Sequence, residues 1–86
     1  MYLHLGQNTA VGGKNIIGIF DLEGTTLSKH TRSFLKTAEE EGFVRNVSDD
    51  LPRAFAVCEI DGRSVIYVTN ISSVTLLKRA GKEIGA

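Results

Sequence analysis

The 86-residue sequence contains one cysteine, one proline and one methionine, and its formal charges cancel. A lone cysteine, Cys58, excludes an intrachain disulfide and every cysteine-rich zinc arrangement, so nothing in the chain calls for an oxidising compartment. Ten Lys and Arg balance ten Asp and Glu, which removes the overall basic field that by itself announces nucleic-acid binding. Any such binding must use a local patch. Long apolar runs are also lacking: the stretch near Ile16 to Phe20 is far too short to span a bilayer, and Met1 to Gln7 holds no basic targeting segment. The expectation is a cytoplasmic protein with no membrane attachment. The sequons Asn46-Val47-Ser48 and Asn70-Ile71-Ser72 carry no chemistry without a secretory route.

What is present is ordinary globular composition, with 42% hydrophobic residues, 23% charged residues and nine glycines. The length gives one domain, residues 1–86, and excludes two. A chain of this size buries only about 60% of the surface its unfolded form exposes, so a lone core is marginal and partner subunits are an expected supplement.

Met1 to Gly6 alternates in the manner of a strand, and Gln7 to Lys14 carries the turn residues Asn8, Gly12 and Gly13, which together suggest a first hairpin. Lys14 to Leu22 holds Ile16, Ile17, Ile19 and Phe20 and reads as a buried strand with a bulge at Gly18. The period then changes. Leu27, Thr31, Phe34, Leu35 and Ala38 form one apolar stripe and predict the main helix, Leu27 to Glu41, capped by Ser28 or Thr26 and stopped by Gly42. Glu39, Glu40 and Glu41 stand at the negative end of its macrodipole and need a cation nearby.

Phe43 to Val47 suggests a short strand, and Asp49 to Pro52 a loop. Ala54 to Ile60 and Arg63 to Asn70, joined by Asp61-Gly62, predict a hairpin with a two-residue type I′ turn. In that register Phe55, Val57, Ile66 and Val68 share one face, and Ala54, Ala56, Cys58, Val65 and Tyr67 share the other. Both faces are apolar and need cover, the second either from the terminal helix and first hairpin or from a neighbouring subunit. Ser72 or Ser73 should cap a short last helix through Val74, Leu77 and Ala80, ended by Gly81. The fold class is α+β: a small antiparallel sheet with a central β-hairpin, one main amphipathic helix and a short C-terminal helix.

No constellation of residues points to catalysis. Cys58 lies inside a strand and reads as a core residue, and His4 and His30 lack a spaced set of co-ligands for a metal. Gly13-Lys14 imitates the end of a phosphate-binding loop, but Asn8 and Asn15 occupy its required glycine and hydroxyl positions. The chain is therefore not expected to be an enzyme, nor to use a cofactor, metal or small-molecule substrate. Lys29, Arg32 and Lys36 form an ordinary solvated helix face. Lys14, Arg45 and Arg53 fall near predicted strand ends, where cations can reach phosphates. Three are too few for affinity unless an oligomer repeats them.

The segments Met1-Tyr2-Leu3-His4-Leu5-Gly6, Ile16-Ile17-Gly18-Ile19-Phe20-Asp21 and Ser72-Ser73-Val74-Thr75-Leu76-Leu77-Lys78-Arg79-Ala80 resemble, in that order, the RemB branch of the RemA/RemB family of bacterial extracellular-matrix regulators. The resemblance implies a ring-forming α+β protomer that regulates matrix and biofilm genes by binding DNA through arginines repeated around a homo-oligomer. RemA-type members carry an arginine immediately before the Ile-Ile pair and paired arginines before the central hairpin. Here Asn15 fills the first position, with Lys14 one residue earlier, and Leu51-Pro52-Arg53 surrounds the second. Lys14 and Arg53, followed by Arg45, are the expected backbone contacts. The alternative is an oligomeric protein-interaction or scaffolding subunit that has lost DNA binding.

Overall fold

The computed structural model describes residues 2–23 and 28–84, with the side chains of 82–84 left aside. Nine elements follow in order: β1 (Tyr2–Gly6), β2 (Thr9–Gly12), a 3-10 turn (Gly13–Asn15), β3 (Ile16–Asp21), α1 (Lys29–Glu40), β4 (Val44–Asn46), β5 (Ala54–Ile60), β6 (Arg63–Thr69) and α2 (Ser73–Ile84). The main sheet has the order β3-β5-β6-β4, with α1 on one face and the β1–β2 hairpin and α2 on the other.

The central hairpin forms as its residues demand. Asp61 and Gly62 both take positive φ, 53° and 78°, the geometry a type I′ turn requires, and the register runs from Ile60↔Arg63 to Ala54↔Thr69. Its two faces divide as the alternation predicts. Phe55 and Ile66 are buried with Ala38 beneath α1, whereas Ala54, Ala56 and Cys58 pack with Leu3, Leu5, Val11 and Leu76 on the opposite side. The terminal elements of the same chain therefore cover the second face. Thr69, 1% exposed, ties these layers together by donating from its hydroxyl to Leu5 O at 2.6 Å and accepting the Ile71 N–H at 3.1 Å.

Four expectations need correction. The stretch read as a turn contains strand β2, since the reversal is confined to Gly6, Gln7 and Asn8, with Gly6 and Gln7 at φ 111° and 49°, and Thr9 to Gly12 pairs back on β1. β3 is a half-exposed edge strand rather than a buried one. Its register shifts between Ile16 and Gly18, so Ile17 is the extra residue and stands 64% exposed. Gly18 serves a different purpose: a Cβ there would lie 2.9 Å from the Phe20 ring, which folds back to stack on Phe55 with centroids 4.9 Å apart. β4 pairs with β6 in parallel, an exception in an otherwise antiparallel sheet. Finally, α2 turns Leu76 inward and leaves Val74 and Leu77 more than half exposed, and it continues through Gly81 to Ile84.

The main helix starts where its cap dictates, because the Ser28 hydroxyl accepts the Thr31 N–H at 3.1 Å. Thr26 and Leu27, the alternative cap and the first stripe residue, lie outside the described residues. The helix ends in a Schellman arrangement: Gly42, at φ 80°, donates to Glu39 O and Phe43 donates to Ala38 O. Among the described residues of the stripe only Ala38 is buried, and Phe34 remains 47% exposed. A groove of about 300 Å³ opens beside it, floored by Phe55 and Val57 and walled by Ile17, Phe20, Phe34 and His30.

Candidate nucleic-acid interface

The three expected cations occupy three different places. Lys14 sits in the 3-10 turn leading into β3, at the end where Ile16 pairs with Cys58, beside Tyr2, Gly12 and Asn15. Arg53 lies just before β5, next to Leu22 at the far end of β3. The six residues of β3 separate the two, roughly 20 Å of extended chain. Within one protomer they do not form a single patch.

Arg53 is also engaged, with its Nε 2.9 Å from Glu23 Oε1 and both side chains nearly half exposed. A guanidinium paired in this way presents a reduced charge to an incoming phosphate. Leu51, two residues earlier, is 83% exposed where the resemblance leads one to expect an arginine.

Arg45 lies on β4, paired with Tyr67 of β6, and its Nη1 donates to Gly42 O at 2.8 Å and to Val44 O at 3.3 Å. This is the cation that the glutamate-rich end of α1 lacks in its own sequence, and it offsets the negative pole of the helix. The bonds fix one prong of the guanidinium. Nε and Nη2 have no partner among the described residues.

Sequence reasoning missed Arg63. It stands at the start of β6, and alternation along the strand places it on the same face as Val65 and Tyr67. Because Arg45 is the register partner of Tyr67, it shares that face too. Arg45, Arg63, Ile60, Asp61, Val65 and Tyr67 line an open notch of about 560 Å³. The signal available in the sequence was Arg63 two residues before a strand-face valine and four before Tyr67, but the partner arginine comes from β4, eighteen positions earlier, through a parallel pairing that hydrophobic patterning does not reveal.

No group of three or more His, Cys, Asp or Glu side chains capable of holding a metal occurs among the described residues. Cys58 is fully buried, and burial pushes its thiol from an ordinary 9.0 up to about 11, as befits a packing residue. No described helix is long and apolar enough to cross a membrane.

Fold and surface together define a small mixed α+β domain that presents arginines and a lysine from the ends and edges of its main sheet. No protein-family model matches the chain. Extracellular matrix regulatory protein B of Bacillus subtilis (strain 168) is 35% identical to it over 80 residues, which is 93% of this chain and 90% of that protein. The chain belongs to the extracellular matrix regulatory protein B family.

Proposed function

We infer that the chain is a cytoplasmic transcriptional regulator of extracellular-matrix and biofilm genes, which binds DNA through the phosphate backbone as a homo-oligomeric ring. The observation that carries this reading is the match to a matrix regulatory protein along nearly the whole of both chains. Lys14 and Arg53, with Arg45, are the backbone contacts, and no side chain reads bases strongly. Their separation favours multiplicity: neighbouring protomers bring copies of one cation to one duplex, and several weak contacts add up to useful avidity. Catalysis has no part in this reading.

Phe20, Phe34 and Phe43, each more than 40% exposed around α1, supply the apolar surface that assembly would cover. The same surface, together with the Glu23–Arg53 pair, favours a second reading: a scaffolding subunit whose face meets another protein and which no longer binds DNA. Retention on non-specific duplex DNA as salt is raised, measured beside the mass by light scattering, separates the two. Salt-sensitive retention by an assembly larger than a dimer supports the regulator. An assembly that ignores DNA at low salt supports the scaffold, and a 9.3 kDa particle at micromolar concentration removes both.

A further inference from the structure

The notch between β4 and the tip of the central hairpin carries two arginines, and neither forms an ion pair among the described residues. Arg45 is held at its Nη1 by the Gly42 and Val44 carbonyls, so its remaining donors are oriented before any ligand arrives. The Arg63 side chain is exposed and makes no hydrogen bond within the described residues. The notch is also lined by the half-buried Tyr67, Val65 and Ile60, of which Tyr67 and Ile60 pack against the core. Two guanidinia lining one open, partly apolar concavity suit the oxygens of a tetrahedral oxyanion.

We propose that this notch is a phosphate site in which Arg45 and Arg63 together take the oxygens of one phosphate group, and that its source is a phosphodiester of the DNA backbone. For that source the inference rests on the function proposed above, and it moves the main point of contact. Lys14 stands at the same end of the sheet as the hairpin tip, because Ile16 pairs with Cys58 near the end of β5, whereas Arg53 stands at the other end beside Glu23. Lys14 and Arg63 therefore stand at one end of the sheet, and Arg45, whose backbone is level with Tyr67 in the far half of β6, joins them only through the side chain that lines the notch, leaving Arg53 as a secondary contact at the other end.

Asp61 provides an internal control. Asp61 also lines the notch, where its negative charge opposes an anion, while its backbone conformation is one that asparagine adopts equally well. Charge removal at Arg63 and at Asp61 must then act in opposite directions, an outcome a purely structural role does not produce.

The test uses the full chain, with an unrelated duplex and inorganic pyrophosphate as probes. Anisotropy at low salt should show Arg63→Ala weakening duplex binding about tenfold and lowering the salt slope by about one unit for each phosphate that is no longer neutralised. Asp61→Asn should tighten binding about threefold, since it removes a repelling charge from the site. Arg32→Ala, which removes the same charge from α1, should change neither. Calorimetry should show pyrophosphate binding that is abolished in Arg63→Ala and recovered only in part by Arg63→Lys. Duplex and pyrophosphate affinities of Arg63→Ala and Asp61→Asn within twofold of the parent overturn the proposal. Pyrophosphate binding that depends on Arg63, in a parent that ignores duplex DNA, keeps the site and refutes DNA as its source. Duplex binding by Arg63→Ala equal to that of a duplex-binding parent keeps the DNA reading and refutes the notch.

Discussion

Arg53 is held twice by the chain that leaves β3: its carbonyl accepts the Leu22 N–H at 2.9 Å, and its Nε lies 2.9 Å from Glu23 Oε1. Both side chains are close to half exposed, so the ion pair contributes about 0–1 kcal/mol to stability and is screened by salt. Its greater effect falls on a ligand, because a phosphate approaching Arg53 has to displace a carboxylate.

Glu23→Gln should therefore tighten duplex binding about two- to fivefold at low salt and steepen the salt dependence, with the unfolding midpoint almost unchanged. Arg53→Ala should weaken binding alike on unrelated duplexes, as a backbone contact carries no sequence information. Fluorescence anisotropy across a salt series measures both. Equal affinity for the parent and Glu23→Gln would show that Arg53 does not meet phosphate.

The buried Thr69 hydroxyl links the main sheet to the first hairpin at Leu5 O. Thr69→Val keeps the shape and leaves that carbonyl without its partner, which should cost about 1–3 kcal/mol in urea unfolding, while Thr69→Ser, which retains the hydroxyl, should cost less. A loss in Thr69→Val no greater than in Thr69→Ser would place the linkage elsewhere.

Cys58 gives a pH signature. Its thiol rises from 9.0 to about 11 because burial disfavours the thiolate, so the folded chain holds this proton more tightly than the unfolded one. The corresponding stability is fully present below pH 9 and is lost as pH rises through about 11. Cys58→Ala should flatten that part of the stability curve relative to the parent. Parallel curves between pH 9 and 11 would contradict the assignment.

Phe34, almost half exposed on α1, stands between the groove over Phe55 and a second apolar recess that reaches Phe43 and Ile66. Phe34→Glu should leave the monomer fold intact, with a change of stability of about 1 kcal/mol or less, yet reduce the mass of the assembly by placing a charge in a surface that burial would desolvate. Sedimentation velocity with circular dichroism reads both. An unchanged assembly would locate the subunit contact on another face.

Local chemistry made part of this molecule legible and left part of it out of reach. Asp61-Gly62 specified its hairpin because only residues that tolerate positive φ close a type I′ turn, and Gly42 specified the end of α1 for the same reason. The inner face of α2 was not legible, since Val74, Leu76 and Leu77 have equal claims by hydrophobicity, and the position of the β1–β2 hairpin decides that Leu76 goes inward. β2 escaped notice because four residues ending in glycine carry little periodicity. Nearness to strand ends singles out Lys14, Arg45 and Arg53, and the family resemblance adds weight to Lys14 and Arg53, but neither criterion distinguishes a paired arginine from a free one. The Arg45–Arg63 notch required knowledge that β4 runs parallel to β6.

The register shift at Ile17 also governs what a fresh polypeptide can do before it meets a partner. β3 forms an open border of the sheet, and an open border with a regular ladder invites extended chains to add on without limit. Here the ladder is broken between Ile16 and Gly18, which leaves only a short regular stretch from Gly18 to Asp21. A stray strand finds too little template there to hold on, so runaway stacking is discouraged at that border. A second copy approaching the same border meets projecting side chains, Ile17 foremost, and recognition there depends on shape rather than on generic backbone pairing.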